Sequence, residues 1–103
     1  MKYLVFDTET TGLPRERWGK ISDSSNWPHV VQLAWILYDN ESNRLFKSND
    51  IIKLDDSTVL SQSSINIHGI TRERCDRDGI PIKTAILKFQ KALKDANIVI
   101  AHN

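Results

Sequence analysis

Apolar residues fall into short runs separated by polar stretches marked with glycine and proline, and the spacing within the runs changes partway along the chain. Lys2-Tyr3-Leu4-Val5-Phe6-Asp7 is almost continuously apolar, with β-branched and aromatic members, which predicts a strand buried on both faces and central in its sheet. Thr10-Thr11-Gly12-Leu13-Pro14 stops that strand, and the polar sequence from Arg15 to Pro28, including Ser22-Asp23-Ser24-Ser25-Asn26, predicts a surface loop. Val30, Val31, Leu33, Trp35, Ile36, Leu37 and Tyr38 predict a second strand over residues 29–39. Asp39-Asn40-Glu41-Ser42-Asn43 then predicts a turn and an antiparallel return through residues 44–54. Irregular apolar spacing and Ser48-Asn49-Asp50 place a bulge or a sheet edge in that third strand.

After Asp55-Asp56 the pattern becomes helical. Serine-rich residues 57–67 predict a short or imperfect helix, because serine competes for the backbone hydrogen bonds a helix needs. Thr71 before Arg72-Glu73-Arg74 predicts a second capped helix that Gly79 stops. Pro81 opens a third, in which Ile82, Ala85, Ile86, Phe89, Leu93 and Ala96 recur at three- and four-residue spacing. Lys83, Lys88, Lys91, Lys94 and Asp95 fall mostly on its solvated face. Asn97 ends this helix, and Ile98-Val99-Ile100 predicts a fourth, buried strand. The order strand, strand, strand, helices, strand defines an α/β fold without internal repeats or an interdomain linker.

Composition narrows the picture only a little. A length of 103 residues with 40% hydrophobic and 26% charged side chains suits one domain, excludes two, and is too apolar for disorder. The net charge of +1 neither favours nor excludes nucleic acid, because a neutral chain can carry a basic face. Cys75 is the single cysteine, so an internal disulfide and an all-cysteine metal site are excluded, and a reducing, cytoplasmic location is expected. No apolar run approaches the ~18 residues of a membrane span and no charged-then-apolar leader opens the chain, so no membrane association is expected.

The candidate chemistry begins at Asp7-Thr8-Glu9. Side chains alternate along a strand, so Asp7 and Glu9 project from one face if the strand persists through Glu9. Two carboxylates there repel unless a cation sits between them, and Mg²⁺ or Mn²⁺ takes oxygen ligands of this kind. Spacing alone favours a turn-capping Asp7 with a merely exposed Glu9, since isolated acid pairs are common. Arg15, Arg17 and Lys20 offer phosphate contacts with Trp18 available for stacking, although a solvated loop accounts for them too. Arg72, Arg74 and Arg77 form a second basic cluster diluted by Glu73, Asp76 and Asp78. Trp35 is expected in the core, Trp27 as a loop anchor beside Pro28, and Cys75 as inert.

Phe6-Asp7-Thr8-Glu9-Thr10-Thr11-Gly12-Leu13 resembles the first exonuclease motif of the DEDD superfamily of 3′-5′ exonucleases, which includes the proofreading epsilon subunit of bacterial DNA polymerase III. Ile67-His68-Gly69-Ile70-Thr71 resembles the next recurring segment of the epsilon-like branch, and Ile98-Val99-Ile100-Ala101-His102-Asn103 the strand leading into its second motif. The resemblance implies a ribonuclease-H-like mixed sheet of order 3-2-1-4, with three antiparallel strands, helices, and a fourth strand parallel to the first. It also implies two Mg²⁺ or Mn²⁺ ions held by four acids, with Asp7 bridging both and Glu9 binding one. Thr10, Thr11 and Gly12 would line the last nucleotide, Leu13 would pack on its base, and His68 would line the nucleotide pocket. His102 and Asn103 match no catalytic residue and are expected to be structural or near the substrate. The implied reaction is hydrolysis of the terminal phosphodiester at a single-stranded DNA or RNA 3′ end, with a DNA polymerase as an implied partner of the whole protein.

The family's remaining two acids and its general-base histidine lie in later motifs that residues 1–103 do not contain. The chain is therefore expected to be the N-terminal part of a single, truncated exonuclease domain, inactive alone and self-associating through its fourth strand or an uncovered sheet face. The alternative from another class is a non-catalytic nucleic-acid- or protein-interaction module that keeps the half-site.

Overall fold

A computed structural model describes residues 1–102; Asn103 lies outside the described residues. Four strands, β1 (Tyr3–Thr10), β2 (Val30–Tyr38), β3 (Arg44–Ile51) and β4 (Ile98–Ala101), form a sheet of order β3-β2-β1-β4. Strands β1, β2 and β3 pair antiparallel, and β4 runs parallel to β1 with Tyr3 opposite Ile98 and Phe6 opposite Ala101. Both the order and the strand senses are those the sequence predicts. Helices α1 (Gln62–His68), α2 (Arg72–Asp78) and α3 (Ile82–Asp95) connect β3 to β4.

Period-two alternation decides which side chains form the core. Leu4 and Phe6 of β1 lie opposite Leu37 and Trp35 of β2, and this face packs against Ala85, Phe89 and Ala92 of α3. Phe89 anchors the contact, with its ring centroid 5.0 Å from that of Phe6 and 6.5 Å from that of Trp35. A second, separate cluster of Val31, Ile51, Leu54, Ile70 and Cys75 lies beneath α2, and Ile51, opposite Gln32, belongs to the sheet face away from α3. Burial pushes the Cys75 thiol up, which keeps it protonated at neutral pH.

The expectation that β1 is buried on both faces needs correction. It is internal in the sheet, but Val5, on the face away from α3, is exposed. The apolar stripe of α3 is also displaced from the predicted one: Ala85 and Ala92 are buried, while Ile82, Ile86 and Leu93 stand exposed. Small alanines let the helix approach the sheet closely, and the large aliphatic residues are left on its flanks.

Strand β3 stops before the predicted Leu54 because Ile52 leaves the ladder for a parallel bridge to Ile80. The Lys53 N–H donates to the Ile80 carbonyl at 2.9 Å, and the Ile80 N–H to the Ile51 carbonyl at 2.9 Å. Helix α1 begins only at Gln62, where the Ser61 hydroxyl accepts the Ser64 N–H, so the first part of the serine-rich stretch, residues 57–61, stays outside it. In the β2–β3 turn, hydrogen bonds from Asn43 and the Glu41 N–H hold the Asp39 carboxyl below the usual carboxylate range. That stabilisation is present above the ordinary Asp pKa and lost as pH falls through the depressed one.

Candidate active site at the end of strand β1

The two carboxylates of the sequence motif share one face. Asp7 lies opposite Ala34 and Glu9 opposite Gln32, and the ladder stays regular until a shift between Glu9 and Thr10. Strand geometry therefore persists through Glu9, which is the condition the pairing requires. Both residues are partly exposed and lie on the sheet face away from α3. One oxygen of Asp7, Oδ1, accepts the Thr8 N–H at 2.9 Å. The other, Oδ2, lies 3.7 Å from Nδ1 of His102. The parallel register brings His102 there: its N–H donates to the Phe6 carbonyl at 3.1 Å, one step beyond the Phe6–Ala101 pair. The sequence placed His102 only as structural or near the substrate, and the strand register was the signal for its position beside Asp7. Among the described residues, no group of three or more His, Cys, Asp or Glu side chains is arranged to hold a metal.

The segment after β1 is fixed by backbone bonds. Thr11 is buried; its N–H donates to the His29 carbonyl at 2.9 Å, its Oγ1 accepts the His29 N–H at 3.1 Å, and its carbonyl accepts the Ser61 N–H at 3.0 Å. Its side chain and N–H thus tie the end of β1 to the start of β2, and its carbonyl ties it to the base of α1. His68 completes the bracket: Nε2 meets the Thr10 carbonyl at 3.0 Å, and Nδ1 accepts the Ile70 N–H at 3.0 Å. These bonds select the neutral tautomer with hydrogen on Nε2. A bond from His68 to a sugar or phosphate requires exchange of one of them.

Gly12 and Leu13 differ from Thr11 in having no internal partner for their side-chain positions. The Gly12 backbone does not take positive φ, and an added Cβ would meet only Ser61 Oγ, at 3.8 Å. Neither conformation nor packing within the chain requires glycine there. Leu13 is 91% exposed. The basic cluster of α2 is largely engaged: Arg72 donates to the Thr58 and Asp55 carbonyls, and Arg77 and Arg74 pair with Asp78 at 3.0 and 3.8 Å.

Comparison with known proteins agrees with this arrangement. Residues 4–103 match the RNase_T exonuclease family. The chain is 31% identical over 102 residues to a PolC-type DNA polymerase III of Pediococcus pentosaceus, covering 99% of this chain and 6% of the polymerase. It superposes on E. coli exonuclease I in complex with a dT13 oligonucleotide with a TM-score of 0.77 at 18% identity, covering 99% of this chain and 20% of that one. A product-bound exonuclease I gives a TM-score of 0.77 and 18% identity, with 22% of that chain covered. The chain thus spans only a small part of each relative, and the structural likeness establishes the ribonuclease-H-like exonuclease fold. A match over residues 4–103, with the first-motif carboxylates on one strand face, makes this chain a member of the RNase_T exonuclease family.

Proposed function

We propose that the chain carries the first half of a 3′-5′ exonuclease active site. The supporting observation is that Asp7 and Glu9 project from one partly exposed face at the end of β1, in a chain of this family. Their oxygen donors fit hard divalent cations, and no Lys or Arg is paired with either carboxylate among the described residues. Asp7 and Glu9 would hold Mg²⁺ or Mn²⁺, two ions in a complete site, which when bound stabilise the attacking and leaving oxygens of an in-line displacement. The chain's own residues position the substrate: Thr11 and His68 fix the backbone at 10–12, Gly12 admits the terminal nucleotide closely, and Leu13 presents an apolar surface to its base.

The substrate is the 3′ end of a single-stranded DNA or RNA, and hydrolysis releases nucleoside monophosphates. The oligonucleotide complex of exonuclease I supports the substrate class, and likeness to a PolC-type polymerase supports a polymerase partner for the whole protein. We assign residues 1–103 to the N-terminal part of a single exonuclease domain whose other two acids and general base come from further polypeptide. The chain alone is accordingly inactive; absence of a general base by itself costs about 10²- to 10⁴-fold. A cytoplasmic location accords with the single buried thiol.

Gly12 separates this reading from a purely structural one. Gly12→Ala is expected to leave the melting temperature unchanged, since the new methyl has room, while weakening binding of a nucleoside 5′-monophosphate about tenfold, the effect of roughly 1.4 kcal/mol. Thermal unfolding and calorimetric titration check the two halves; unchanged nucleotide affinity would count against the assignment.

The chain is also expected to self-associate through β4. That strand is a sheet edge, and Ile98, Val99 and Ile100 are all exposed. Light scattering should show mass rising above the monomer with concentration; a monomer mass throughout would contradict this.

A further inference from the structure

The loop between β1 and β2 presents an aromatic ring on a rigid support. Leu13, Trp18 and Ile21 are 91%, 89% and 92% exposed, so none serves the core. The loop beneath them is nevertheless built. The Gly19 N–H donates to the Glu16 carbonyl at 3.2 Å, which makes residues 16–19 a tight turn with Arg17 and Trp18 at its two central, outward positions. Buried Asn26 clamps that turn from behind: its Oδ1 accepts the Glu16 N–H at 2.6 Å and its Nδ2 donates to the Glu16 carbonyl at 2.9 Å. Gly19 is required by this clamp, because a Cβ there would lie 2.4 Å from Asn26 Nδ2. The return leg is held as well, with Trp27 Nε1 donating to the Lys20 carbonyl at 2.9 Å.

Charge accompanies the ring. The Arg17 guanidinium carbon lies over one face of the Trp18 ring, 5.2 Å from its centroid, so the highly exposed indole has its other face for a base and a cation beside it for phosphate. Arg15 and Lys20 flank the turn. Trp18 follows Leu13 by five residues, a reach of at most about 17 Å, the span of a few nucleotides.

We propose that Trp18 is a stacking platform for a base of the substrate strand upstream of its 3′-terminal nucleotide, with Arg17 contacting the adjoining phosphate. This rests on the exonuclease reading and adds a second, sequence-independent contact outside the metal half-site. Stacking on an aromatic side chain suits any base and gives the strand a direction away from Leu13.

The test uses the 103-residue chain without divalent metal, with a fluorescein-labelled oligothymidylate of about ten nucleotides and, in parallel, thymidine 5′-monophosphate. Trp18→Ala is expected to weaken oligonucleotide binding about tenfold and leave mononucleotide binding unchanged, and Trp18→Phe should restore most of the loss. Arg17→Ala should lower the salt dependence of oligonucleotide binding by about 0.7 in log–log slope. Equal oligonucleotide affinity for the unaltered chain and Trp18→Ala overturns this inference alone, while failure of the unaltered chain to bind either probe overturns the exonuclease reading beneath it.

Discussion

Asp7→Ala is expected to abolish divalent-ion binding by the chain and, in any longer form of the protein that hydrolyses a 3′ end, to lower the rate about a thousandfold or more. The size follows from what Asp7 does in the proposed site. Asp7 would be a ligand to the bound ions, and an ion that stabilises charge on the reacting oxygens contributes several kcal/mol, each 1.36 kcal/mol being a factor of about ten. The fold should not suffer. The Asp7 side chain is 46% exposed, and its internal partners are the Thr8 N–H and a weakly placed His102. Removing it also relieves repulsion from Glu9 two residues along the same face. Unfolding midpoints equal to or above those of the unaltered chain, together with lost Mn²⁺ binding by titration calorimetry, are the expected pair of results. Retained binding would show that the carboxylate is not a ligand.

Gly79→Ala is expected to produce the opposite division, with a large loss of stability from a residue far from the chemistry. Its φ is ordinary, so the reason is space. A methyl group there would lie 2.1 Å from the Cys75 carbonyl oxygen, 2.5 Å from the Lys53 nitrogen and 2.7 Å from Lys53 Cα. All three are backbone atoms and none can rotate away. Relief requires moving the end of α2 away from the segment after β3, which would break the exchange of hydrogen bonds among Ile51, Lys53 and Ile80 and open the core at Ile52. A destabilisation of about 3 kcal/mol follows, corresponding to a fall in melting temperature of about 12 °C or more for a domain of this size. Differential scanning calorimetry checks it; a shift under about 4 °C, the equivalent of less than about 1 kcal/mol, would mean that the chain relaxes there at little cost.

The parts of this structure legible in the sequence are those set by local period and by turn residues. Alternation along Leu4 to Glu9 placed the carboxylates on one face, Asp39 to Asn43 gave the antiparallel return, and Thr71 and Gly79 bounded α2. What was not legible depends on contacts between distant positions. Thr11 carries no local sign that its hydroxyl meets the His29 N–H, and nothing near His68 signals that its ring closes on the Thr10 carbonyl. The loop after β1 reads in sequence as merely solvated because its order comes from Asn26 reaching back to Glu16, an interaction that a polar, serine-rich stretch does not advertise. The face of α3 was placed too far toward its large aliphatic residues because apolar spacing does not tell which residues permit the closest approach. Ala85 and Ala92 do so, leaving Ile86 outside.

Function divides along the same lines. The proposed metal half-site lies on β1, an internal strand whose position is held by β2 and β4, while the segment that would meet the nucleotide is bracketed by Thr11 and His68. Rigid support for two carboxylates that no Lys or Arg pairs with among the described residues is the arrangement expected where a bound ion supplies the missing charge.

The most direct test is to titrate substoichiometric Mn²⁺ into ¹⁵N-labelled chain and record which amide signals broaden. Broadening centred on Asp7, Thr8 and Glu9 and extending to His102 across the parallel β1–β4 pairing is the predicted result. Broadening centred instead on Asp55 and Asp56 or on Asp76 and Asp78, with β1 left sharp, would contradict it.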